Sequence, residues 1–145
     1  MLFTVYVAFL VATVLLALWK GGPAEKGGAL IVAAIPVASY LTHLVIPDET
    51  YAFDVADLVV DAGGLVGFVW LAHTQKRFWP YVAAAFQLVA MVGHVTAAIV
   101  PNWPLAYALL RMVPISMVFI LVAIATLDAF YEKTRAEKSA GHIDG

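Results

Sequence analysis

The chain has 145 residues, of which 63% are hydrophobic and 12% charged, and its formal net charge is -2. This composition is far more apolar than that of an average soluble domain, and it predicts an integral membrane protein. The small net charge and the few basic residues, scattered along the sequence, argue against a nucleic-acid partner. Because the chain contains no cysteine, disulfides, thiolate metal ligands and cysteine-based catalysis are also excluded.

Five apolar segments separated by turn residues predict an all-α integral membrane bundle of five transmembrane helices. The predicted spans have these approximate ranges: 2–19, 29–46, 54–73, 78–100 and 105–130. Together they make a transmembrane domain over residues 1–132, which a charged cytoplasmic tail follows at 133–145. The first span begins without a preceding basic region, which favours a membrane helix over a cleaved signal peptide. The Gly- and Pro-containing stretch 21–28 predicts a flexible loop.

Lysine and arginine positions predict the orientation, because cytoplasmic loops carry the excess of these residues. Lys20 and Lys26 belong to the first loop, and Lys76 and Arg77 belong to the third. The charged C-terminal tail carries the other cations outside the spans, whereas the second and fourth loops carry none. The N-terminus is therefore predicted outside and the C-terminus in the cytoplasm, with Arg111 as the exception inside a span.

The third span carries three aspartates, Asp54, Asp57 and Asp61, whose spacing of three and four places them on one helix face. Carboxylates inside a membrane need protein partners, so this span is predicted to be central in the bundle. On roughly the opposite face, a row of small residues permits close approach of another helix: Ala52, Ala56, Gly63 and Gly67.

Ionisable residues on four predicted helices lie at a similar depth in the outer leaflet, if each residue rises about 1.5 Å. The predicted ligand or ion pocket consists of Asp57, Asp61, His94, Arg111 and His43, with Asp54, Gln87, Tyr40 and Tyr107 as supporting residues. Because an unpaired charge at this depth is costly, we expect Arg111 to pair with Asp61 or Asp57.

Two interpretations of this cluster are open. In the structural one, Asp61 and Arg111 form an ion pair, and the histidines are hydrogen-bonding partners that fix the helix register. In the functional one, the cluster is a binding pocket or a path for protons or ions that opens outward, as intramembrane ionisable residues often indicate.

The cluster also raises the question of a cofactor. A divalent metal would use His43 and His94 with Asp57 or Asp61, but the local spacings typical of metal-binding helices are missing. A b-type haem would use His43 and His94 as axial ligands from two helices. We predict no bound cofactor and keep haem b as an alternative.

Transport and catalysis are the remaining alternatives. A proton- or cation-coupled transporter or channel would use the aspartate stripe, with Pro36 and Pro114 loosening the flanking helices. No nucleophile motif or phosphate-binding loop indicates an enzyme. A lipid-modifying enzyme acting through Asp57, Asp61 and His94 nevertheless stays open.

The segment RFWPYVAAAFQLVAMVGH, from Arg77 to His94, has an aromatic-Trp-Pro entry, a mid-span Gln87 and His94 seven residues later. This pattern resembles uncharacterised small multi-pass membrane proteins of sphingomonads and related alphaproteobacteria. The resemblance implies a bacterial cytoplasmic (inner) membrane and implies no activity.

Because the predicted loops are short, partner contacts are expected from helix to helix. The sequence thus predicts a non-enzymatic subunit or accessory of a membrane assembly, whose partners are the lipid bilayer and other membrane helices, in a homo-oligomer or a larger complex.

Overall fold

The structure, a computed structural model, describes residues 2–45, 55–99 and 104–141. Side chains at the following positions lie outside this description: 2–3, 97–98, 104–108, 111 and 140–141. The secondary structure of the described residues is all helical, which confirms the predicted all-α class. The helices are α1 (Leu2–Lys20), α2 (Pro23–Val45), α3 (Val55–Gln75), α4 (Trp79–Ile99) and α5 (Pro104–Gly141).

Three helical segments are long and apolar enough to cross a membrane: Pro23–Val45, Val55–Gln75 and Met112–Ser139. A shorter apolar helix covers Thr4–Lys20. The last helix continues well past the predicted end of the fifth span at residue 130, so its charged portion extends the same helix.

The start of α2 differs from the prediction, because the helix begins at Pro23 rather than near Ala29. Proline suits the first helical position, where its missing N–H costs no hydrogen bond. Two residues later, the Glu25 carboxylate accepts a hydrogen bond from the Gly22 backbone N–H at 2.9 Å, as in a capping box. The predicted flexible loop over 21–28 is therefore wrong from Pro23 onward.

The two glycines of this first part of α2 are contact residues. A Cβ at Gly28 would lie 2.4 Å from the Trp79 ring, and one at Gly27 would lie 2.6 Å from Leu71. Glycine here lets α2 approach α3 and the start of α4 more closely than any other residue would allow.

Each helix packs against its neighbour in the chain, and α5 also packs against α1 and α2, so that the five helices form a closed bundle. The helices α3 and α4 are antiparallel, since Asp61 meets His94 near one end and Phe68 meets Trp79 near the other.

The helices α1 and α5 are parallel. In that pair, the rings of Tyr6 and Phe119 lie 5.2 Å apart, and Lys20 reaches the ring of Phe130.

This arrangement brings cations from four parts of the chain to one end of the bundle, which we call the basic end. Lys20, Lys26, Arg77 and Lys133 line a common cavity there. The turn between α3 and α4 is tight because Lys76 adopts a left-handed backbone conformation with φ of 51°.

The distribution of polarity between the inside and the outside of the bundle is inverted relative to that of a water-soluble protein. Asp57, Asp61, Gln87 and His94 are all buried in the interior. Large apolar side chains are exposed on every helix, with relative exposures of 62% for Val5, 60% for Leu30, 67% for Val66, 52% for Leu88 and 58% for Ile124.

Candidate functional site

The site begins with one face of α3, where Asp57, Asp61, Gly64 and Phe68 recur at intervals of four, three and four. These intervals follow the helical period, and all four residues are buried. Asp57 and Asp61 thus share one buried face of α3, as predicted for these two residues, whereas the third predicted member, Asp54, lies outside the described residues.

The central contact of the site joins α3 to α4. His94 Nε2 lies 3.1 Å from Asp61 Oδ2, and the relative exposures of the two residues are 0% and 3%. Since a carboxylate oxygen accepts, the Nε2 N–H donates to it. Both side chains are almost entirely removed from solvent, so the contact between them replaces most of their hydration.

One helical turn nearer the N-terminus of α3, Asp57 contacts α2. The Ser39 hydroxyl donates a hydrogen bond to Asp57 Oδ1. On the next turn of α2, His43 Nδ1 lies 2.7 Å from the Ser39 carbonyl oxygen, so its N–H donates to that carbonyl. His43 is half-buried. It belongs to the rim of the site, beside Ser39.

Gln87 of α4 forms the deepest level of the site. Its residue exposure is 1%, and among the described residues neither its Oε1 nor its Nε2 has a hydrogen-bond partner. The amide lies against Gly64, where a Cβ would be only 2.7 Å from Nε2. An amide has four hydrogen-bonding positions, and burial without partners makes it costly to stability.

Four of the buried polar residues, Asp57, Asp61, His94 and Gln87, therefore lie at three successive levels, in the pairs Ser39–Asp57, Asp61–His94 and Gln87–Gly64. We call this part of the interior the polar half. Nearer the basic end it gives way to an apolar core, the apolar half, which includes Val32, Phe68, Leu71, Ala83 and Val122. Phe68 lies seven residues beyond Asp61, or about 10 Å along the helix.

The structure does not bring every predicted residue into this cluster. Tyr40 is 67% exposed. Asp54 lies outside the described residues, as do the side chains of Tyr107 and Arg111. The expected pairing of Arg111 with an aspartate therefore stays a prediction, and the described partner of Asp61 is His94.

The site also contains two residues that the sequence did not single out, Ser39 and Gly64. Ser39 is four residues before His43 and therefore shares its helix face. This spacing was the one feature of the sequence that could have indicated Ser39 as a site residue. Gly64 carried no signal of its own, because the predicted row of small residues ran through the adjacent Gly63.

That row does not form one continuous contact. Gly67 packs against α2, where a Cβ would lie 3.3 Å from Ile31, whereas a Cβ at Gly63 would have no described neighbour within 4 Å. Ala56 is buried, and Ala52 lies outside the described residues. Gly63 instead borders an apolar groove of about 330 Å³ between α2 and α3.

Among the described residues, no group of three His, Asp or Glu side chains has a geometry that would hold a metal ion. The haem alternative with His43 and His94 stays a prediction. It has a direct test, since the absorption spectrum of the purified protein would show a Soret band.

No protein-family model, curated protein or solved structure matches this chain.

Proposed function

We propose that this chain is a five-span integral protein of the bacterial cytoplasmic membrane, with its N-terminus outside and its C-terminus in the cytoplasm. The inverted polarity of the bundle carries this proposal. Large apolar side chains such as Val66 and Ile124 would be costly in water and are favourable against lipid chains. The buried Asp61 and His94 would be costly in lipid, and the bundle shields them from it.

The position of the cations supports the proposed orientation. Lys20, Lys26, Arg77 and Lys133 come from different chain segments and line one cavity at one end of the bundle. A bundle with all of these cations at one end satisfies the positive-inside rule when that end faces the cytoplasm.

Within this membrane setting, we propose that the protein is a non-enzymatic subunit or accessory of a membrane assembly. The described connections are short, with residues 21–22 between α1 and α2 and residues 76–78 between α3 and α4. The bundle therefore offers partners mainly its exposed apolar helix faces, which suit contact with other membrane helices.

Site-specific photo-crosslinking in living cells tests this proposal. A benzophenone amino acid is placed at one exposed position on each helix: Val5, Leu30, Val66, Leu88 and Ile124. We expect at least one position to give an adduct with another membrane protein or a second copy. The matched control is Glu137, which is exposed on the charged C-terminal part of α5, beyond the apolar helix faces. A monomer in mild detergent with no adduct from any exposed position would refute the subunit proposal.

A second candidate function, proton or cation handling, is favoured by the buried Asp61–His94 pair beside the Gln87 amide, which has no partner among the described residues. Chains of carboxylates and imidazoles serve as proton relays in membrane proteins, and the Gln87 amide offers a polar group to a passing water or ion. The apolar half closes the interior beyond Gln87, so passage through the bundle requires Phe68 and its neighbours to separate.

Proton or cation flux into liposomes loaded with an indicator dye tests the second candidate. Asp61→Asn removes the charge of the central pair and is expected to abolish the flux while the fold persists. Asp128→Asn is the matched control, because Asp128 is exposed on α5 away from the polar half. Wild-type protein without any flux would exclude this function.

A further inference from the structure

A cavity of about 720 Å³ opens at the basic end, far from the polar half. Four cations line it, and each belongs to a different part of the chain: Lys20 to the end of α1, Lys26 to the first turn of α2, Arg77 to the α3–α4 turn and Lys133 to α5. Only the folded bundle brings these four together, so the cavity is a product of the tertiary structure.

Aromatic rings hold one of these cations in place at the rim. The Lys20 ammonium lies 4.3 Å from the centroid of the Trp19 ring and 4.8 Å from that of Phe130. Both distances are within the range of cation–π attraction. The N-terminus of α2 also opens onto the cavity at Gly22 and Pro23, and its helix dipole adds a partial positive charge.

Two carboxylates line the same cavity, but both have partners. The Glu25 carboxylate is buried and accepts the Gly22 N–H, so it serves the start of α2. The Glu132 carboxylate lies 3.9 Å from the Arg77 guanidinium, in an exposed pair that stays weak in water. The four cations outnumber these two acids, so the cavity keeps a net positive charge.

We propose that this cavity binds the phosphate headgroup of an anionic phospholipid. Basic pockets between transmembrane helices at the cytoplasmic face suit such headgroups, because lysine offers mobile point charges and arginine a fork that fits phosphate oxygens. Trp19 is 77% exposed at the rim, and an interfacial tryptophan lies at the depth of lipid headgroups. The inference rests on the proposed membrane setting and adds a specific lipid partner to it.

The test compares lipid retention by two variants with the same loss of charge. Lys20→Gln/Lys26→Gln/Lys133→Gln removes three cations of the cavity. Lys76→Gln/Arg135→Gln/Lys138→Gln removes three cations that do not line it. Each protein is placed in nanodiscs that contain phosphatidylglycerol and phosphatidylcholine, and the lipids retained after mild detergent extraction are counted by native mass spectrometry.

One cation close to an anionic headgroup contributes roughly a fivefold change in affinity, so the cavity variant, which loses three cations, is expected to lower the preference for phosphatidylglycerol by roughly a hundredfold. The control variant loses the same number of charges on the same side of the bundle but keeps the cavity, so it is expected to lose only the general surface attraction, by about tenfold at most. Equal losses in both variants would show general attraction to the membrane surface and would overturn the proposal. Binding of inorganic phosphate without any phospholipid preference would overturn the lipid assignment as well.

A variant of opposite sign guards against a folding defect in the triple variant. Glu132→Gln removes an acid of the cavity and releases Arg77, so it is expected to raise the phosphatidylglycerol preference about threefold to fivefold, whereas Glu137→Gln outside the cavity leaves it unchanged. A decrease with Glu132→Gln would contradict the proposal.

Alkaline carbonate washing, which releases proteins that are not integrated in the bilayer, separates the proposed membrane setting from the proposed lipid cavity. Wild-type protein that is washed off refutes the membrane setting, and protein that stays without lipid preference refutes only the cavity.

Discussion

The polar half and the apolar half of the bundle interior are built from the same helices and differ in what fills the space between them. In the polar half, Asp61 and His94 form a hydrogen bond between α3 and α4. In the apolar half, Phe68 and Leu71 pack against residues of the neighbouring helices and need no specific partner. An apolar core accepts different apolar side chains as long as the total volume is kept. Buried polar groups, in contrast, form their hydrogen bonds only when the two helices are aligned in one way. The apolar half therefore stabilises the bundle through packing, and the polar half fixes how the helices align with one another.

The largest expected effect is the loss of packing in the apolar half. Phe68→Ala removes a fully buried ring that contacts Trp79, and it is expected to lower the free energy of unfolding by about 3–5 kcal/mol. Reversible unfolding in mixed detergent micelles measures this change. Phe78→Ala is the matched control, since Phe78 is 79% exposed and its loss creates no cavity. Equal effects of the two variants would contradict a packed apolar half.

The next effect concerns the close approach of helices at the basic end. Gly28→Ala places a Cβ 2.4 Å from the rigid Trp79 ring, so α2 must move, at an expected cost of about 1–3 kcal/mol in unfolding free energy. Gly63→Ala is the matched control, because a Cβ there has no described neighbour within 4 Å. The same measurement should find the control neutral or slightly stabilised. A destabilised Gly63→Ala beside a neutral Gly28→Ala would reverse the described packing.

A double-mutant cycle sharpens the description of the polar half. Asp61→Ala and His94→Ala each remove one side of the described hydrogen bond, and the double variant removes both. We expect the two losses to be coupled by about 0.6 kcal/mol and by no more than about 1.7 kcal/mol, the average and the maximum for hydrogen bonds between membrane helices. The coupling is obtained from the unfolding free energies of the four proteins. Additive losses would mean that the two side chains do not interact.

The smallest expected effect is a gain in stability at the deepest polar level. Gln87→Met keeps the volume and removes an amide without described partners, so unfolding free energy is expected to rise by up to about 1 kcal/mol. A large loss of stability instead would show that the amide has a bound partner in the native protein. In that case the polar half would bind a ligand and would also fix the alignment of the helices.

Much of the fold was predictable from the sequence, because apolar length and turn residues are local signals. The helices α1, α3 and α4 coincide with the predicted segments to within two residues. The start of α2 was missed because glycine and proline near Lys26 were interpreted as loop residues. In a close-packed bundle, proline opens the helix and Gly28 lets another helix approach.

Asp57, Asp61 and His94 could be chosen as site residues from the sequence, because ionisable residues are rare inside apolar segments. Their pairing was not predictable, because whether Asp61 meets His94 or Arg111 depends on the rotation of three helices. The contact of Ser39 with Asp57 has the same cause, since serine is common in membrane helices without any role at a site. Gly64 was missed because its significance comes only from the Gln87 side chain beside it.

Labelling of single cysteines tests the central claim, a five-span bundle whose basic end faces the cytoplasm, most directly. The chain has no cysteine, so one is introduced at a time as Asp48→Cys, Asn102→Cys, Lys76→Cys or Ser139→Cys. A maleimide that does not cross membranes is added to intact cells with a permeable outer membrane. We expect label at positions 48 and 102 from outside, and at positions 76 and 139 only after the inner membrane is opened. Label at position 76 from outside, or all four positions on one side, would contradict the account.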